Sequence, residues 1–352
     1  MGYAYRLSRG GGFKVEPIPS LSVAGWADNT ACLYWTAPGL YFDGVTVRAS
    51  ANGYPSQTSG DLVYDGEGDT LALSTSQNVK GCLFTGSPNT TYYFSVFSYV
   101  LDTANRKHYS NVARQATYTT ATYSIGSAAY TGAFVVGTEG GIALLTNGVF
   151  TVPIGIRYLD VFCVGGGGKG GNGTGSAPYF GGGGGGAGYT VNSYHVPVTP
   201  GQTISAVIGA GGTSGNGGST SFGSVTASGG NGGGNASGGN PGNGGSGASG
   251  GGAGGLSAYG ASSVGGHGGY NGANGGDAYV EGSSVPTAYG GTGQGTNTQA
   301  FGTGSAYAKG GNSGLPVGSA TAGIPNTGNG GDGGFNAGMN GGSGIIIVRK
   351  AA

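Results

Sequence analysis

An all-β fold, two sandwiches in succession with a long glycine-rich excursion in the second, is predicted by three features of this sequence. Apolar residues recur at alternate positions in short runs separated by turn-forming clusters, the mark of strands with one buried face. A 3.6-residue apolar period is missing throughout, and glycine, 88 of 352 residues, opposes helix by about 1 kcal/mol per position. Composition then shifts near Gly165: strand-like sequence gives way to glycine until the apolar run Ile345-Ile346-Ile347-Val348.

Residues 1–12 hold aromatic and basic side chains (Tyr3, Tyr5, Arg6, Arg9) before a glycine hinge, and are expected to form an attachment arm. Residues 13–120 are expected to form the first sandwich. Ala31-Cys32-Leu33-Tyr34-Trp35-Thr36 alternates toward Pro38, as does Val45-Thr46-Val47-Arg48-Ala49. Leu71-Ala72-Leu73 follows, then the long run from Thr91 to Val100, and a last strand from about Ser110 to Thr117. Trp35 ahead of Thr36-Ala37-Pro38, and Pro88-Asn89-Thr90-Thr91-Tyr92-Tyr93-Phe94-Ser95-Val96, resemble the second-strand tryptophan and the tyrosine-corner segment of fibronectin type III domains. The resemblance implies that Trp35 and Tyr92 are structural and that Tyr92, Phe94 and Val96 face inward. It implies little about function, because such sandwiches serve as spacers as often as binders.

A second sandwich is expected over residues 121–228, with strands at 130–136, 141–152, 158–164, 188–196, 203–208 and 219–227. The pieces Leu144-Leu145-Thr146-Asn147-Gly148-Val149-Phe150, Leu159-Asp160-Val161-Phe162-Cys163-Val164-Gly165 and the terminal Ile345–Lys350 run resemble the glycine-rich domain of phage tail and fibre proteins. Residues 345–352 are expected to return to the sheet of this second sandwich.

For residues 229–344 two states compete. Glycine- and serine-rich tracts usually behave as flexible linkers. Periodicity favours order instead. Every third residue from Gly230 through Gly233, Ala236, Gly239, Gly242, Gly245, Ala248, Gly251 and Gly254 is small, and the next phase is rich in Asn and Ser. A three-residue period is that of the polyproline-II helix, which has no internal hydrogen bonds and repays its ordering entropy only when several lie side by side. Glycine at each third position permits the close approach. A bundle of packed polyproline-II helices is therefore expected, with glycine-poor segments at its ends. That architecture is similar to the glycine-rich adhesins of T-even-like phages, whose distal loops contact receptors.

Charge narrows the partners. Thirteen basic and thirteen acidic residues cancel, which leaves no basic footprint for nucleic acid. With no apolar run of about 18 residues, membrane insertion is not expected; nor does the N-terminus read as a secretory signal, so synthesis in a host cytoplasm is expected. Gly165-Gly166-Gly167-Gly168-Lys169-Gly170 fails as a phosphate loop, since Gly170 stands where Ser or Thr is needed. His108, His195 and His267 are isolated, so no metal and no cofactor is expected, and no nucleophile or paired acid points to an enzyme. Cys32, Cys82 and Cys163 read as buried apolar residues, with a Cys32–Cys82 bridge left open.

The expected function is that of a phage tail-fibre or tail-tip adhesin in the virion. Its partners would be other tail or fibre proteins and a host-cell surface glycan or protein. Candidate receptor contacts are Tyr259, Tyr279, Tyr289, Phe301, Tyr307, Leu315 and Val317, in glycine-poor segments where an aromatic ring offers apolar area at low entropic cost. A head fibre or capsid decoration is the alternative, and a glycine-helix ice-binding protein a remote one, disfavoured because the polar phase is Asn and Ser rather than Thr or Ala. Oligomeric state is open.

Overall fold

The computed structural model of the chain describes residues 14–39, 42–67, 79–174, 180–237, 240–252, 254, 262–263, 274, 278–279, 298–313 and 319–352. Two units are present, Met1–Tyr123 and Ser124–Ala352, so the division falls three residues later than the turn signals indicate. The expected strand at Leu71–Leu73 lies outside the described residues.

The first unit contains β1 (Leu21–Ala27), β2 (Thr30–Thr36), β3 (Gly44–Ser50), β4 (Asp61–Gly66), β5 (Val79–Thr85), β6 (Thr91–Leu101), β7 (Lys107–Tyr109) and β8 (Arg114–Thr119). They form a three-stranded sheet, β1-β2-β5, and a second sheet, β4-β3-β6-β7, with β8 also on β6. The last strand, expected from about Ser110, begins only at Arg114 as β8. Leu33 and Trp35 of the first sheet pack with Val45, Val47, Phe94 and Val96 of the second. Trp35 is 1% exposed. Tyr92 packs against this core, and its hydroxyl accepts a hydrogen bond from the Ser87 amide at 3.0 Å. Register places Cys32 opposite Leu83 and Leu33 opposite Cys82. Successive residues of a strand face opposite ways, so the two sulfurs lie on opposite faces of the sheet and neither is in a disulfide. That removes the disulfide left open above.

The second unit contains β9 (Ala129–Tyr130), β10 (Phe134–Thr138), β11 (Gly141–Leu144), β12 (Gly148–Thr151), β13 (Tyr158–Val164), β14 (Thr190–Pro197), β15 (Thr203–Val207), β16 (Thr220–Phe222), β17 (Val225–Ala227), β18 (Ser262–Ser263), β19 (Ala278–Tyr279) and β20 (Ile345–Lys350). Two antiparallel five-stranded sheets face each other, in the orders β10-β11-β20-β13-β14 and β17-β16-β15-β12-β9. The short β18 and β19 pair separately. Phe150 and Phe222 meet edge-on in the second sheet at 5.4 Å.

Burial differs between the sheets, and the sequence reflects it. In β15 buried and exposed residues alternate, as expected with solvent on one face. In β13 every residue from Leu159 to Val164 is buried, and in β20 Ile345 to Val348 are buried without a break. The second face of that sheet is covered by residues 298–308. Ala300, Phe301 and Ala308 pack on Phe162, Ile345 and Ile347, with Tyr307 against them.

Beyond Val164 the hydrogen-bond period changes from two to three. Amides 165, 168 and 171 donate to the carbonyls of Tyr189, Gly186 and Gly183; 166 and 169 to Gly218 and Gly215; 167 and 170 to Gly342 and Met339, all at 2.7–2.9 Å. Each third residue therefore returns to the same neighbour. Amides 182, 185 and 188 likewise donate to Gly334, Gly331 and Gly328, while 183, 186 and 189 reach Gly234, Asn231 and Ser228. Amides 184 and 187 reach Gly252 and Ser249. This is the bonding of polyproline-II helices packed side by side, each turning a third of a revolution per residue. The expectation from residue 229 onward began too late. Segments 165–174, 180–189 and 209–218 already belong to the bundle, and the first two lie at its centre.

Candidate functional site

The bundle grows from one end of the second sandwich. Val164 pairs with Thr190 as the last rung of the β13–β14 ladder, and Gly165 then bonds to Tyr189 as the first rung of the glycine hairpin. Segment 209–218 joins β15 to β16, the segment from 228 follows β17, and the segment ending at Gly344 leads into β20. One end of the bundle is therefore fixed by strands.

At the other end the chain reverses, and side chains replace the missing backbone partners. Thr174 and Phe180 close one hairpin, the Thr174 amide donating to the Phe180 carbonyl at 3.0 Å and the Phe180 amide to Thr174 Oγ1 at 3.1 Å. Ser237 and Asn240 close another through reciprocal 3.0 Å bonds. Asn172 ties three segments together at this level. Its amide donates to Asn235 Oδ1 at 2.8 Å, its carbonyl accepts from Ala236 at 2.8 Å, and its Oδ1 accepts from Gly338 at 2.9 Å. The Gly254 amide bonds to Gly242, whose own amide bonds to Gly181, so residue 254 lies at this same end.

Asp332 organises the residues on either side of 314–318. Its buried carboxylate accepts from the Asn312 amide at 2.7 Å, the Thr321 amide at 2.9 Å and the Thr321 hydroxyl at 2.6 Å. With its oxygens satisfied, it is a fastening rather than a free acid. A single Asp or Asn inside a glycine tract, at the point where the period breaks, was the available signal for Asp332, Asn172 and Asn235, and sequence reasoning passed over it.

The expected contact residues separate into three groups. Tyr259, Tyr289, Leu315 and Val317, with the attachment residues Tyr3, Tyr5, Arg6 and Arg9, lie outside the described residues. Tyr279 lies in β19, opposite Ser262. Phe301 and Tyr307 are corrected: Phe301 is 6% exposed, and both pack over the sheet around Phe162. They are there because a central sheet buried on both faces needs an apolar cover. Burial, with Glu139 second, raises the pKa of the Tyr307 hydroxyl, and the Arg349 guanidinium lies 4.0 Å over the Phe301 ring. Phe301→Ala is expected to cost about 3 kcal/mol of stability, read as a lower melting temperature.

The rejected phosphate-loop motif has a physical explanation. All seven amides from Gly165 to Gly171 donate to backbone carbonyls, so none is left to cradle an anion. Among the described residues no group of three His, Cys, Asp or Glu side chains is placed to hold a metal ion. Burial pushes the Cys163 thiol up to about 12, where a reactive thiolate is not formed.

A search of the curated proteins gives no match. The profile of the Glycine-rich domain family matches residues 145–351, from just ahead of β12 through β20. That span covers both glycine segments and the strands that anchor them, and on it the chain belongs to the glycine-rich domain family.

Proposed function

We propose that this chain is a phage tail-fibre or tail-tip adhesin, a binding protein rather than an enzyme, that contacts a host-cell surface glycan or protein. One observation carries the reading: the chain reversals and the stems of residues 175–179 and 314–318 gather at the bundle end farthest from the strands. A hydrogen-bonded bundle is a stiff support, and a loop held by a stiff support gives up less entropy on binding. Neutral charge suits adhesion governed by shape and apolar contact rather than by long-range attraction.

The first unit is read as a fibronectin type III-like spacer. Support comes from Trp35 buried between the sheets and from the Tyr92 hydroxyl bonded to backbone five residues upstream, the geometry of a tyrosine corner. Residues 1–12 are proposed to attach the protein to other virion components.

The test is adsorption of the labelled protein to susceptible bacteria. Replacing residues 314–318, or separately 279–289, by Gly-Ser sequence of equal length should reduce adsorption at least about tenfold while the melting temperature stays within ~2 °C. Full adsorption by every loop replacement would favour a structural appendage of the virion instead. Immunogold labelling of intact particles distinguishes a tail from a head location.

A further inference from the structure

Strands β14 and β17 are edges of the two sheets of the second unit and lie against one another. Between them runs an open groove of about 620 Å³, lined by Ser193, Tyr194, His195, Pro197, Ser224 and Thr226 with neighbouring valines. Among the described residues, no acidic side chain, lysine or arginine lines it.

The groove is built around a strained residue. Leu159 pairs with Val196 and Val161 with Ser193, so Tyr194 and His195 together oppose the single residue Asp160 in a β-bulge. His195 adopts φ 53°, a conformation rare for a residue with a bulky side chain. It is fastened from below. Asp160, 3% exposed, accepts from the His195 amide at 3.0 Å and from Arg349 Nε at 3.1 Å. Strain of this kind persists only where the surroundings over-determine it, and bulges re-aim side chains. Here the outcome is that Tyr194 and His195 share the face of Asp160, with the Tyr194 ring 6.4 Å from that of Phe301 and about half of it open to solvent. Tyr194 is 49% exposed and His195 is exposed, with the Tyr158 ring, itself half exposed, 6.4 Å from the imidazole.

The chemistry of the lining selects a ligand class. Without formal charge, the groove has nothing to compensate an ionic ligand. The bulge interrupts the ladder on β14, which blunts that edge against an added strand and so disfavours an extended peptide. Exposed ring faces flanked by hydroxyls and an imidazole suit a pyranose. The C–H face of such a ring can stack on tyrosine, and the imidazole and hydroxyls of the lining offer partners to its own hydroxyls. We propose that this groove binds an uncharged saccharide. The inference does not rest on the far end of the glycine bundle acting as an adhesin, since the two places share no residue.

The experiment is a titration of the full chain, labelled with ¹³C in its aromatic rings, with the methyl glycosides of glucose, galactose, rhamnose and N-acetylglucosamine. The Tyr194 and His195 ring signals are expected to shift with at least one of these, with a dissociation constant on the order of 1 mM. Tyr194→Ala, a change at a half-exposed side chain, should weaken that binding about tenfold, the loss of one ring contact. His195→Gly, which accommodates the positive φ, should weaken it while the protein stays folded. A Gly-Ser replacement of residues 314–318 should leave it unchanged, which separates this site from the proposed adhesive loops. The proposal is overturned if no sugar moves these signals, if binding survives Tyr194→Ala undiminished, or if a blocked Val-Thr-Val-Thr peptide moves them and no sugar does.

Discussion

Replacing Gly185 with alanine is expected to collapse the glycine bundle. A Cβ at Gly185 would lie 2.1 Å from the Gly168 carbonyl oxygen and 2.7 Å from its carbon. The same residue donates its amide to Gly331 and accepts from Gly311, so it cannot move away from one neighbour without breaking bonds to the others. Overfilling a core usually costs about 1–3 kcal/mol because side chains can yield. Here the atoms in the way are backbone, and the cost should exceed that range. Amide exchange is the measurement: protection over 165–189, 228–252 and 328–344 should fall together, because each segment holds the next. Gly215→Ala serves as the control. No atom lies within 4 Å of its added Cβ, and its stability should stay within about 0.5 kcal/mol of the parent. Retained protection in the Gly185 variant would mean that the segments are not packed as described.

Trp35→Ala is expected to destabilise the first unit by about 3–5 kcal/mol, read from the exchange of β6 amides in the full chain. The ring is 1% exposed and packs at 5.8 Å from the ring of Tyr64, and no smaller side chain fills that space. Trp35→Phe should cost much less. Its indole Nε1 is buried without a hydrogen-bond partner, so phenylalanine gives up volume but no polar contact. A loss below about 1 kcal/mol for the alanine variant would contradict the placement of Trp35 between the sheets.

The strands were legible wherever burial is one-sided or complete. The alternation at 31–36 and 91–100 located β2 and β6, and the unbroken Ile345–Val348 run announced the closing strand. Order in the described part of the glycine tract was legible from the three-residue period alone, since close packing requires a small residue at each contact. Its starting point was not. Gly165 to Gly171 follow β13 without any turn signal, because a polyproline-II segment continues an extended strand at little change in backbone direction. Phe301 misled for a related reason. A glycine-poor stretch inside a glycine tract can be a loop at a bundle end or the cover for a sheet face. Local sequence does not distinguish the two, because what differs is the distant surface, Phe162 and Ile347, that awaits the ring. The bulge at Tyr194 and His195 was equally hidden, since it lies where β14 pairs with β13 around a buried Asp160 held by the partly exposed Arg349, residues far apart in sequence.

The position of β20 sets a clock on biosynthesis. β11 and β13 are made early, yet the strand that belongs between them begins at Ile345. At roughly 5–20 residues per second, the ribosome leaves that slot open for on the order of ten seconds or more. During the wait two strand edges and an apolar face stand uncovered. A nascent neighbour on the same messenger carries the identical missing piece. The glycine tract itself limits the hazard, because it is poor in the apolar, β-prone segments that would fill the slot wrongly. A chain interrupted anywhere before Ile345 can never close the sheet, so the fold itself separates finished molecules from unfinished ones.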